Sequence, residues 1–194
     1  MFYIHEDDSP GKAKILTEGL RLFAENGLSA TSIRDIATAA GLSNPALYKH
    51  FKTKHDLALV LFERSYLEIL RRLTKATQQE TGFPGKFRDF IRTYLQTYDD
   101  NPHVTLFTTD NLAALWPDVS EQMKGRTVIS LLREILEHGR SDGFVTLGED
   151  LDLQLALVVG MLGQTTRQMY FRTLTGPAHK HADGIERILR AGLS

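Results

Sequence analysis

The 194-residue chain contains no cysteine, which excludes disulfides, thiolate metal sites and cysteine nucleophiles. No apolar run approaches the roughly twenty residues of a membrane span. The opening MFYIHEDDSP is acidic and lacks the basic start of a signal peptide. Nor is there a glycine-rich phosphate loop, a G-x-S-x-G elbow or an H-E-x-x-H pair. No catalytic residue, cofactor or metal is therefore expected, and the chain reads as a soluble, cytoplasmic non-enzyme. His179 and His181 flank Lys180 and could meet His138 or His103 at a metal, but a His/Lys loop after Gly176-Pro177 is more simply a solvated connection. Charge imbalance is also scarce, with 23 Lys and Arg against 24 Asp and Glu. Period-2 alternation is missing, so no sheet is expected.

What is present is helical periodicity in a chain that is 42% hydrophobic, enough for one large or two small domains. Residues 31–51, TSIRDIATAAGLSNPALYKHF, are the most informative stretch. Ile33, Ile36, Ala37 and Ala40 recur at i, i+3, i+4 and i+7, predicting a short amphipathic helix over 32–40. Thr31 and Ser32 are both candidate caps, with Asp35 near the positive helix end. Gly41 then suits a left-handed stop, Ser43 a new cap, and Pro45 the first turn of a second helix over 44–51. Leu47 and Phe51 anchor that helix at i and i+4, leaving Asn44, Ala46, Tyr48, Lys49 and His50 largely outward. Thr53 is a further candidate cap, with Lys54 in the next first turn. Taken alone, this pattern fits a helical hairpin inside a bundle as well as a DNA-reading helix-turn-helix.

Charge separates the two readings. Between residues 9 and 54 the bases at 12, 14, 21, 34, 49, 52 and 54 face acids at 18, 25 and 35, a net of +4 in a chain of net −1. Positive charge is thus concentrated on the motif, as a phosphate-binding surface requires. Residues 14–57 also resemble the N-terminal domain of TetR/AcrR-type transcriptional regulators. The resemblance is carried by Leu22-Phe23, Asn26-Gly27, Asp35-Ile36-Ala37, Gly41-Leu42-Ser43, Leu47-Tyr48, His50-Phe51 and Lys52-Thr53-Lys54. It implies a DNA-binding domain over 9–54 and a ligand-binding and dimerisation domain over 55–194. It further implies an all-α fold of about nine helices, a homodimer, a double-stranded operator of near-palindromic sequence, and a small-molecule effector of unidentified chemistry. By the same resemblance Ser32, Ile33 and Arg34 lie at the groove edge, Asn44, Pro45, Ala46 and Tyr48 towards bases or adjacent backbone, and Lys49, His50 and Lys54 on phosphates, with Thr31 and Ser43 as further DNA-binding candidates. The implied function is a ligand-responsive repressor. A ligand-independent architectural DNA-binding protein is the alternative, and a helical enzyme or partner-binding protein using the motif as scaffold is a third.

Beyond the motif, helices are expected over 11–26, 54–79, 86–100, 102–115, 117–141, 151–173 and 182–192, with 81–85 (TGFPG) as a linker. The aromatic residues Phe62, Tyr66, Phe90, Tyr94, Tyr98, Phe107 and Trp116, with Met161, are candidates to line an effector cavity. Asn111, Gln164, Thr165 and Arg167 are its polar candidates. The helix over 151–173 is apolar on more than one face. Gly160 and Gly163 each cost about 1 kcal/mol of helix stability relative to alanine, which close approach of a partner helix would explain. Ala156, Val159, Gly160 and Gly163 are accordingly the candidate dimer contacts.

Overall fold

The computed structural model describes residues 2–146, 148 and 150–194. Among them there is no strand. The helices are α1 (Pro10–Asn26), α2 (Ile33–Ala39), α3 (Asn44–Tyr48), α4 (Lys54–Thr77), α5 (Phe83–Asp100), α6 (Pro102–Leu115), α7 (Glu121–Lys124), α8 (Val128–Ser141), α9 (Leu151–Tyr170) and α10 (Ala182–Leu193). Two 3-10 turns, Trp116–Asp118 and Ala178–His181, complete the order. No helix among the described residues is long and apolar enough to cross a membrane.

The all-α architecture matches the expectation from periodicity, and three boundaries differ for local reasons. The expected linker over 81–85 is largely the first turn of α5, because Pro84 sits where a missing amide costs nothing. The single helix expected over 117–141 is interrupted. A 3-10 turn and the one-turn α7 precede α8, which starts anew from a reciprocal Thr127–Ser130 capping box. The helix expected over 44–51 stops as regular α-helix at Tyr48.

The described chain divides into two compact units, residues 1–68 with 103–121, and residues 69–102 with 122–194. α4 is continuous across the division at residue 68. In the first unit α1 buries Ile15, Leu16, Leu20 and Phe23. Gly19 lets α1 approach α4 closely, since a Cβ there would stand 3.2 Å from Leu57 Cδ2. Phe23 stacks on Phe107 of α6 with centroids 5.7 Å apart. The N-terminal segment is fixed by Asp8, whose side chain is fully buried. Its carboxylate accepts from Nη1 and Nη2 of Arg64 on α4 and from Lys12 Nζ at 2.7 Å.

In the second unit α5 packs against α8, α9, α10 and the turn before α10. Phe83 and Phe87 are fully buried and stacked at 5.2 Å. Gly82 offers no side chain to cap α5, and Asp142 Oδ2 accepts the Phe83 amide at 3.4 Å instead. Gly139 of α8 sits against this corner: a Cβ would come within 2.6 Å of the Phe83 ring.

Burial alone would raise the pKa of Asp8, but the hydrogen bonds from Arg64, Lys12 and the His5 amide outweigh it and hold the carboxyl well below the usual carboxylate range. A depressed folded-state pKa contributes stability that is complete above the unfolded value of about 4 and is lost as pH falls towards the lower folded value. Asp8→Asn should therefore destabilise the protein by about 3 kcal/mol at neutral pH, by leaving the largely buried Arg64 without its carboxylate partner. It should also flatten the acid limb of the stability curve below pH 4, as measured by urea denaturation at stepped pH.

Candidate nucleic-acid interface

Helices α2 and α3 are too short to persist alone, so their ends and buried faces carry them. Ser32 caps α2. Its hydroxyl oxygen accepts the Asp35 amide at 3.2 Å, and Asp35 Oδ2 accepts the Ser32 amide at 2.9 Å. The side chain and then the backbone amide of Ser32 hold the Asp35 carboxyl below its ordinary range. Of the two candidate caps, the structure selects Ser32. Thr31 is turned inward: it is only 2% exposed, and its hydroxyl donates to the carbonyls of Leu22 and Gly27. The side chain of this DNA-binding candidate instead ties the end of α1 to the start of α2.

The turn between the helices has Gly41 at φ +68°, a conformation that suits glycine. Ser43 Oγ accepts the Ala46 amide and caps α3, with Pro45 in its first turn. Leu47 is fully buried and Phe51 nearly so. The opposite side presents Pro45, Lys49 and Tyr48, which is 52% exposed. Ser32, Arg34 and Ser43 are exposed beside it, while Ile33, Asn44 and Ala46 are half-buried. His50 is exposed but lies near the start of α1, where a Cβ on Gly11 would be 3.5 Å from its Nε2.

Lys54 is placed differently from a free phosphate ligand. Its Nζ donates to the carbonyls of Leu28 at 2.8 Å and Thr31 at 2.9 Å, and more weakly to Ser29 at 3.4 Å. The three ammonium donors are thus turned onto the α1–α2 connection. Thr53 caps α4 as expected, in a reciprocal pair with Asp56 at 3.0 Å each way. The local charge also resolves. Arg21 is matched by Glu18 and Glu25, and Lys12 by Asp8. Lys14, Arg34, Lys49 and Lys52 have no ion-pair partner among the described residues. A face of uncompensated cations around a capped, exposed helix is what phosphate contact and base-edge readout require.

The effector candidates divide between the two units. Phe62, Phe107, Tyr66, Trp116 and Asn111 belong to the first unit, and Phe90, Tyr94, Tyr98, Met161, Gln164, Thr165 and Arg167 to the second. Phe62, Phe90 and Phe107 are fully buried core. Tyr66 stacks on Phe62 and meets Trp116 at a tilted 55°, and the Asn111 amide donates to the Phe107 carbonyl of its own helix. Gln164 and Arg167 face outward. An open cleft of about 960 Å³ in the second unit is lined by residues outside this set. The histidines are dispersed in their bonding as well. His179 meets Asp99 at 2.7 Å, His181 meets the Thr175 carbonyl, His138 meets Asp142 and His103 meets Glu25.

On α9 the buried stripe is Gln154, Leu155, Val158, Leu162, Thr166 and Met169. Ala156, Val159 and Gly160 are exposed and Gly163 half-exposed. Leu153, 65% exposed, and Leu157 extend this surface, and Ile188 of α10 is 60% exposed. A Cβ on Gly160 or Gly163 would meet nothing within 4 Å. Packing within the chain therefore gives no reason for either glycine.

The family model for bacterial regulatory proteins, tetR family, matches residues 15–61. The chain is similar to the HTH-type transcriptional repressor KstR2 of Mycolicibacterium smegmatis, 31% identical over 160 residues, covering 73% of this chain and 70% of that protein. It is 22% identical over 160 residues to the fatty acid metabolism regulator protein of Bacillus subtilis, covering 80% of this chain and 81% of that protein. The solved structure of FadR from Bacillus subtilis in complex with stearoyl-CoA shares its fold, with a TM-score of 0.77 at 20% identity over 94% of this chain and 99% of that one. The stretch that the family model covers contains the capped α2–α3 pair, and the KstR2 likeness continues well beyond it. The chain belongs to the TetR family of bacterial regulatory proteins and works as a DNA-binding regulator of transcription.

Proposed function

We propose that two copies of this chain pair through the outer faces of α9 and α10 and present two α3 helices to the half-sites of a near-palindromic operator. In this reading the protein is a cytoplasmic repressor that acts by binding alone, without catalysis. The observation that carries it is the exposed face of α3, held by caps at Ser32, Ser43 and Thr53 and flanked by unpaired Arg34, Lys49 and Lys52. One helix of five residues reaches few base pairs, and a two-fold pair reads two half-sites about 34 Å apart or a multiple of that. The pairing surface is supported by Leu153, Ala156, Leu157 and Gly160, which form an exposed apolar strip on α9, and by Ile188.

We further infer that the effector is an acyl thioester of coenzyme A bound within residues 55–194. The support is likeness to a regulator of fatty acid metabolism and to a fold neighbour solved with stearoyl-CoA. The ligand releases DNA to the extent that it favours the conformation whose two heads misfit the half-site spacing.

Three measurements test this reading. In fluorescence anisotropy with a selected operator, Lys49→Ala should reduce the slope of log affinity against log salt by about one. Lys54→Ala should leave that slope nearly unchanged and lower head stability by about 1 kcal/mol, because it removes a charged donor from part-buried carbonyls. Equal affinity for operator and random duplex would instead make the protein architectural. Gly160→Arg should preserve the fold, since position 160 is exposed and a Cβ there meets nothing within 4 Å, while light scattering shows half the mass and operator affinity collapses. A Gly160→Arg protein that remains dimeric would remove α9 from the interface.

A further inference from the structure

Five cations of the second unit converge on one open cleft of about 960 Å³. α4 contributes Arg71, Arg72 and Lys75 from one face, α5 contributes Arg92, and the turn before α10 contributes Lys180. Asp183 is the only carboxylate among its lining residues. The volume far exceeds the needs of a single phosphate and falls at the upper end of the roughly 300–1,000 Å³ usual for organic ligands.

The cations are held in position by groups at the edges of the cleft. Arg72 Nη1 lies 2.6 Å from Asp100 Oδ2, and Asp100 is itself oriented by Gln96 Nε2 at 2.8 Å. Arg92 Nη2 lies 2.7 Å from Asp183 Oδ1. A guanidinium has five N–H donors, so Arg92 keeps donors for a second anion beside its bond to Asp183. Asp99 accepts the Ala178 and His179 amides at 2.7 and 2.9 Å and also meets the His179 ring, which clamps the turn bearing Lys180 against α5. Lys75 and the Lys180 ammonium have no partner among the described residues. Gathering like charges in a concavity is unfavourable in the empty protein and focuses the field on an incoming anion. Gln79 and Gln96 add amides suited to neutral polar groups of the same ligand.

We propose that this cleft binds a phosphate-bearing anion of nucleotide size, and that in the regulator it holds the phosphorylated nucleotide portion of the coenzyme A thioester. The second half of that statement rests on the acyl-thioester reading of the effector; the first half stands without it.

The test is isothermal titration calorimetry on the full chain at low salt, with inorganic pyrophosphate, ATP, free coenzyme A and stearoyl-CoA as probes. Free coenzyme A should bind, weaken with added salt, lose roughly tenfold or more in affinity in the Lys75→Ala/Lys180→Ala variant, and recover in Lys75→Arg/Lys180→Arg. Both lysines are exposed, so circular dichroism should show both variants folded. Binding of ATP as tight as that of coenzyme A, with the same dependence on the lysines, supports the anion site and overturns its assignment to the thioester. Coenzyme A affinity unchanged in the double alanine variant, or no binding of any probe, overturns the cleft as a site. So does a loss of operator affinity in that variant with coenzyme A binding intact, which would assign the cations to DNA. The two readings fail separately. If coenzyme A binds through the lysines but stearoyl-CoA leaves the wild-type operator complex intact, the cleft stands and the effector reading falls. If stearoyl-CoA releases DNA equally from wild type and double variant, the reverse holds.

Discussion

The burial of Leu47 is the constraint on which the DNA-reading surface depends. A helix of five residues has too few internal hydrogen bonds to offset its nucleation cost, so α3 exists only because its inner side is anchored and its N-terminus capped. Leu47 is fully buried and Phe51 follows it one turn later. Every outward residue of α3 takes its direction from that anchor. Gly41, Ser43 and Pro45 fix where the helix begins, and the Thr31 hydroxyl and the Lys54 ammonium fix the connection that precedes α2. Residues that look like DNA ligands by charge or position thus divide into those that touch solvent and those that hold the others in place.

Ion pairing performs a similar division on charge. A net of +4 over residues 9–54 is a property of composition, but its spatial meaning comes from cancellation. Arg21 is neutralised along α1, and Lys12 is drawn to an aspartate outside the motif. What remains uncompensated lies on and beside α2 and α3. In the second unit, carboxylates at the edges of a basic cleft orient two arginines and leave Lys75 and Lys180 without a partner among the described residues. Formal charge therefore locates a surface only after its internal pairs have been subtracted.

Much of the fold is legible in the sequence because helix boundaries are written in local chemistry. Periodic apolar positions, Ser and Thr caps and left-handed glycines act over three or four residues, and α1, α2, α6 and α10 start or stop within a residue or two of expectation. The boundaries that differ are also local in origin. Pro84 has the character of a linker residue yet opens α5, and the Thr127–Ser130 box divides the apolar pattern of 117–141 without interrupting its periodicity. The aromatic residues are legible only as apolar mass. Whether Phe62, Phe90 or Phe107 fills a core or lines a cavity depends on neighbours distant in sequence, and all three prove to be solid core.

The sequence by itself determined the all-α class, the capped pair of short helices with its family resemblance, and the abundance of apolar surface on the helix that became α9. These are consequences of spacing and short-range hydrogen bonding. Tertiary structure decided which polar groups are committed to the fold and which face solvent, because that depends on partners brought from tens of residues away. It turned Thr31 inward, bound Lys54 to three carbonyls, left Gly160 and Gly163 facing open space, and gathered Arg71, Lys75, Arg92 and Lys180 from three separate segments around one cleft.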